Sequence, residues 1–173
     1  MPLSLPQNQY QAYEQLEKSF QALFKDRSRE GRKLAQKLLS VYLNLLMAYP
    51  DQPYGHKPIV HPVTVDPILI PEDSGAPTDE TEKDTRPLDI IRAKVAAGER
   101  VLLYVNWVRL DSRTRLKRFL TDAGIRAEIM EDTVPPRGRE AWVAEKLRQG
   151  MQVMITNPGL VETGLDLNDF TTL

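Results

Sequence analysis

VLLYVN (101–106), GIRAEIM (124–130) and GMQVMIT (150–156) decide the fold of this chain. The first run is apolar without alternation from Val101 to Val105, the signature of a strand covered on both faces. Between the runs lie segments of helical length, one at about 111–123 closed by Gly124 and one at about 137–149 closed by Gly150. Upstream, Pro87 opens a further helix that ends near Gly98. From residue 86 onward the order is therefore αβαβαβ. Connections of this length are crossovers rather than hairpins, so the pattern predicts three parallel strands inside a three-layer α/β unit. Thr171-Thr172-Leu173 predicts the beginning of another strand.

Parallel sheets hold their ligands outside the carboxyl ends of the strands, and Asn106-Trp107, Glu131-Asp132 and Thr156-Asn157 all fall there. Phosphate-binding glycine loops are missing from the sequence. Its one GxxxxG, Gly159 to Gly164, continues into Leu165-Asp166 where a Walker A loop has Lys and Ser/Thr. The turn after the first strand, Asn106 to Arg109, lacks the glycines that a dinucleotide pyrophosphate needs.

The first half reads differently. Tyr13, Leu16, Phe20, Leu23 and Phe24 recur at three- and four-residue spacing, as do Leu34, Leu38, Leu39, Tyr42, Leu45, Leu46 and Tyr49. Two amphipathic helices follow, expected as an antiparallel hairpin over 1–50 whose thin core needs a further surface to cover it. Eight of the thirteen prolines lie from Pro50 to Pro87, and 72–84 is acidic and poor in apolar residues, so 51–85 is expected to be a linker that cannot hold itself ordered. Val63-Thr64-Val65 and Ile68-Leu69-Ile70 are expected as short extended pieces docking on a sheet. His56 and His61, separated by proline-broken chain, read as solvated loop histidines with no metal between them.

The 173 residues allow one domain and an appendage, and 41% hydrophobic against 27% charged residues is an ordinary globular balance. No cysteine is present, which excludes disulfides, thiolate metal sites and a cysteine nucleophile. The longest apolar run, Val41 to Tyr49, is too short to span a bilayer, and the expected location is the cytoplasm, with no membrane partner. Net charge is −1 and selects no partner, although 1–85 carries 9 Lys+Arg against 12 Asp+Glu and 86–173 carries 14 against 12.

On these residues, 86–173 resembles the second RecA-like lobe of superfamily 2 helicases and translocases, with the Swi/Snf-like and DEAD/DEAH-type proteins nearest. Val101 to Trp107 looks like motif IV, Gly124 to Gly150 like the strand and arginine-bearing helix that follow, and TNPGLVETGLDL (156–167) like motif V. The resemblance implies a parallel-sheet, RecA-like half-domain. It implies nucleic-acid contacts at Asn106, Arg109 and Thr156, and nucleotide or inter-lobe contacts at Arg139, Gly164, Leu165 and Asp166. ATP and magnesium would be cofactors of a full-length parent, with none for the isolated chain. The implied partners are nucleic acid, DNA before RNA, held weakly, and the parent's first RecA-like lobe.

Strand-end turn chemistry is the competing account of Thr156 and Asn106. For Arg139 it is pairing with Glu131, Asp132 or Glu140, and for Arg113, Arg115, Lys117 and Arg118 it is a solvated helix surface. Trp107 could stack on a base or pack under a helix.

The sequence lacks a Walker A loop, an acidic DEAD/DEAH box and an arginine-rich motif VI, so it is expected to be a piece of a larger protein, catalytically inactive alone. Two functions stay open: part of an ATP-dependent nucleic-acid translocase, or a self-standing, non-catalytic interaction protein whose helical hairpin recruits a partner.

Overall fold

The computed structural model describes residues 5–79, 82–106, 112–161, 165 and 167–172, the side chains of 82 and 172 excepted. It divides into two compact units, Met1–Glu82 and Lys83–Leu173. No helix among the described residues is long and apolar enough to cross a membrane.

In unit 1, helix α1 (Gln7–Lys25) and helix α2 (Arg29–Ala48) form the hairpin. Ser28 caps α2 by accepting from the Gly31 N–H at 2.9 Å, and Asp26 Oδ1 accepts from the Ser28 N–H at 2.9 Å, so the turn satisfies its own polar groups. The Ser28 backbone N–H and then its side chain, both hydrogen-bonded to Asp26, hold that carboxyl below its ordinary pKa. The antiparallel sense shows in the cross-links: Ser19 and Tyr42 share a hydroxyl bond of 3.0 Å, while Gln9, near the start of α1, donates to the Pro50 carbonyl just past the end of α2 at 3.2 Å. Ala12, Leu16, Leu38, Tyr42, Leu45 and Tyr49 form the core.

The 51–85 linker expected from composition is corrected by the structure, which places the unit boundary after Glu82 and packs the preceding segment onto the hairpin. Strand β1 (Ile59–Val60) pairs antiparallel with β2 (Pro67–Leu69), and Ile59 enters the helical core. Farther on, the Tyr49 hydroxyl donates to the Glu72 carbonyl at 2.6 Å, and Asn8 Nδ2 donates to the Ser74 carbonyl at 2.8 Å. Composition counts only what a segment buries by itself. Here the anchors belong to the helices. Val63–Val65 is not an extended piece but the turn between the strands, where Val65 sits at φ 64°, a strained conformation for a β-branched residue. The histidines hold loops as well: His56 stacks on Tyr49 with its Nε2 2.5 Å from the Gln52 carbonyl, and His61 Nδ1 accepts from the Thr64 N–H at 3.2 Å.

Unit 2 is a three-layer α/β structure. Its elements are α3 (Glu82–Ala96), β3 (Arg100–Tyr104), α4 (Ser112–Asp122), β4 (Ala127–Ile129), α5 (Arg139–Arg148), β5 (Val153–Thr156), a short α6 (Pro158–Val161) and β6 (Phe170–Thr172). All four strands are parallel, in the order β4-β5-β3-β6, with Val101 opposite Val153 and Leu103 opposite Ile155. The alternation of β3 splits between two cores. Val101, Leu103 and Val105 meet Leu88 and Ile91 of α3 and Leu120 of α4 on one face; Leu102 meets Val143 of α5 and Met154 on the other. Gly124 and Gly150, at φ 77° and 89°, turn the chain from helix into strand in a conformation that only glycine adopts freely.

Strand β4 lies at the sheet's edge. Glu128, at its centre, holds Lys117 of α4 at 2.8 Å and Lys146 of α5 at 3.6 Å. This charged belt joins the two helix layers and blunts an edge that would otherwise invite pairing.

Candidate functional site

The strand order creates a crevice. The connection leaving β3 crosses β5 to reach β4, while the connection leaving β5 crosses β3 to reach β6. The helices that follow go to opposite layers: Leu116 and Leu120 of α4 join one core, and Leu160 and Val161 of α6 join the other. Adjacent strands whose connections diverge in this way leave a cleft at their carboxyl ends. Asn106 and Thr156-Asn157 stand at those ends.

Asn157 spans the cleft floor. Its Nδ2 lies 3.5 Å from the Val105 carbonyl and 3.4 Å from the Asn106 carbonyl, and its Oδ1 accepts from the Gly159 N–H at 2.8 Å. One side chain thus joins the end of β3 to the first turn of α6, with Pro158 in the position that needs no amide donor. Asn106 remains exposed beside it.

Thr156 is sealed from solvent: its relative exposure is 0%, and its Oγ1 donates to the Asn157 carbonyl at 3.4 Å. As the last residue of β5, opposite Tyr104, it belongs to the core. In this structure the hydroxyl expected to contact nucleic acid is buried. Arg139 is buried too, its Nη1 donating to the Leu160 carbonyl at 2.6 Å and its Nε to the Val134 carbonyl at 3.3 Å. It ties the loop after β4 to α6, and its partners are carbonyls instead of the carboxylates the sequence offered. Leu165 packs against the α5-side core. Arg109, Trp107, Gly164 and Asp166 lie outside the described residues.

The basic helix α4 also departs from a uniformly solvated surface. Arg115 is buried in an ion pair with Asp84 of α3 and lies 5.0 Å over the Phe119 ring. Arg113, 9% exposed, bridges the first turn of α4 to the loop after β4 through Glu131 at 3.0 Å, and its buried Nη1 has no hydrogen-bond partner among the described residues. A buried guanidinium N–H without a partner costs free energy, which the ion pair with Glu131 offsets in part.

The sequence reasoning passed over Asn157 and Arg113 as site residues. Asn-Pro directly after a strand was a signal for the first, since asparagine is a preferred helix cap and proline a preferred first helical residue. The second carried no signal, because its burial depends on Glu131.

Both donor groups that Arg139 uses are committed to carbonyls, and Leu165 is half-buried against the α5-side core. No family model, curated protein or solved structure matches the chain.

Proposed function

We propose that residues 83–173 act as the motif IV to motif V part of the second RecA-like lobe of a superfamily 2 helicase or translocase. In this reading they contribute a nucleic-acid contact surface and are inactive without the remainder of a parent protein. The observation that carries it is the pairing of β3 with β5, which brings Asn106 and Asn157 together at a cleft where the chain diverges to opposite layers. Asn106, exposed beside Asn157, offers an amide donor suited to phosphate oxygens, a contact that positions nucleic acid without reading its sequence. ATP and magnesium enter only with a first lobe, since the sequence has no phosphate cradle.

The test is fluorescence anisotropy of single- and double-stranded DNA and RNA oligonucleotides with the whole chain at increasing salt. Weak binding that falls steeply with salt is expected, because a few phosphate contacts release counterions. Asn157→Asp keeps the acceptor that caps α6 but replaces the amide donors with negative charge, and should weaken binding about tenfold. Salt-independent binding, or binding untouched by Asn157→Asp, overturns the reading. Phosphate release from ATP by the chain alone should stay at background.

The second reading, a non-catalytic interaction protein, draws its support from unit 1. Of the twelve large apolar side chains exposed among the described residues, eleven belong to that unit, which marks it as a surface built to be covered.

A further inference from the structure

Helix α2 carries two seams. Gly31, Ala35, Leu38, Tyr42, Leu45 and Tyr49 follow one another at alternating four- and three-residue steps, all are buried, and this line packs against α1. Arg29, Arg32, Gln36, Leu39, Leu43 and Leu46 follow the same alternation, offset around the helix by roughly a third of a turn. Alternating three- and four-residue spacing is the pattern of a line that receives a facing helix. Among the described residues of unit 1, no helix lies against the second seam. Leu39 and Leu43 are exposed, Met47 beside them is 64% exposed, and Leu46 is half-buried at the margin of the core.

The two ends of this seam differ in chemistry. From Leu38 to Pro50 the chain has no charged residue, whereas Arg29 and Arg32 occupy the amino-terminal third of the line. Both arginines are exposed, and neither forms an ion pair among the described residues. A solvated helix normally places its cations on the face opposite its apolar stripe; here two unpaired guanidiniums stand within the stripe's own line. An apolar seam with cations at one end complements an apolar seam with carboxylates at one end.

We propose that the Arg29–Leu46 face of α2 is a docking site for an amphipathic helix of a partner protein, one whose apolar heptad stripe ends in aspartates or glutamates that pair with Arg29 and Arg32. A second copy of this chain fits less well. In parallel pairing the guanidiniums meet their own copies, and in antiparallel pairing about Leu43 they overhang the partner's helix beyond Ala48. A lipid surface fits less well too, because cations that serve a bilayer flank the apolar stripe along its length instead of capping one end of it.

The experiment uses the whole chain and fluorescein-labelled model peptides of about three heptads, with leucines at alternating three- and four-residue steps. Two carry a glutamate pair, one at each end, and matched peptides carry lysines. Saturable binding of one glutamate peptide is expected, about tenfold tighter than its lysine counterpart. Leu43→Asp should abolish it, and Arg29→Glu with Arg32→Glu should reverse the charge preference. These residues are exposed, so unchanged circular dichroism melting separates lost docking from lost folding. Several outcomes overturn the proposal: no saturable binding of either glutamate peptide, equal affinity for both charges, a chain dimer that Leu43→Asp dissolves, or binding only to anionic phosphatidylserine vesicles. Failure of nucleic-acid binding leaves this result untouched, since the two sites share no residue.

Discussion

Unit 1 and unit 2 solve the burial problem in opposite ways. Unit 2 places its sheet between two helix layers, and Val101, Leu102, Met154 and Ile155 are all sealed, whichever face they point to. Unit 1 has only two helices and a two-stranded ribbon, so one side of α2 and most of the ribbon stay open, with Val63 73% and Val65 68% exposed. A central sheet covers two apolar faces at once, whereas a hairpin covers one stripe per helix. Polar networks compensate in part: Gln9, Asn8 and Tyr49 fasten the returning segment of unit 1 to its helices by directed bonds.

The comparison breaks most visibly if the units do not unfold separately. Asp84→Ala removes the carboxylate paired with the buried Arg115 guanidinium, which should cost about 3–5 kcal/mol and lower the melting transition of unit 2 alone. Tyr42→Ala, which removes a sealed ring and its bond to Ser19, should cost a similar amount in unit 1 alone. Loss of both units' signals in a single transition with either variant would show that the two cores act as one cooperative body.

A smaller effect comes from acid. Burial raises the pKa of Glu128, but the hydrogen bond from Lys117 and the charges of Lys117 and Lys146 together hold it below its ordinary value. Glu99 is lowered as well, by the Thr171 hydroxyl and then Lys94. A carboxylate with a depressed folded pKa stabilises above its unfolded pKa, about 4.3 for glutamate, and that contribution is lost as pH falls through the folded value. Unit 2 should therefore weaken below about pH 4.3, and Glu128→Gln should make that decline shallower by less than about 1 kcal/mol. Equal acid slopes in the parent and the variant would show that the belt across β4 contributes nothing measurable.

The smallest expected change is in the ribbon of unit 1. A left-handed valine costs about 1–2 kcal/mol and a glycine there loses about 0.5–1 kcal/mol of unfolded-state entropy, so Val65→Gly should stabilise unit 1 by up to about 1 kcal/mol. A lower denaturation midpoint would mean that the exposed valine contributes more by packing than its backbone loses.

How much of this the sequence foretold differs between the units as well. Helices α1 and α2 followed from leucine and aromatic spacing, and the strands of unit 2 from apolar runs, two of which follow helices closed by Gly124 and Gly150, because periodicity records which face of a local element is covered. The polar residues at the carboxyl ends of β3 and β5 were placed for the same reason. Proline and acidic composition misjudged the segment after Pro50, since a composition count cannot include Tyr49 and Asn8, which hold it from elsewhere in the chain.

By itself, then, the sequence determined the alternation of helix and strand after residue 86, the parallel sense that long crossovers impose, and the absence of a Walker A loop. Tertiary structure alone decided that β3 lies between β5 and β6, because crossover length permits several strand orders and only the packing of both faces selects among them. It also decided which charges are buried. Arg115 meets an aspartate 31 residues away and Arg139 meets a carbonyl 21 residues away, and no local pattern distinguishes those arginines from solvated ones. The same reason holds for Thr156: strand periodicity marks a residue at the end of β5, but whether its hydroxyl is sealed depends on what the other elements lay over it.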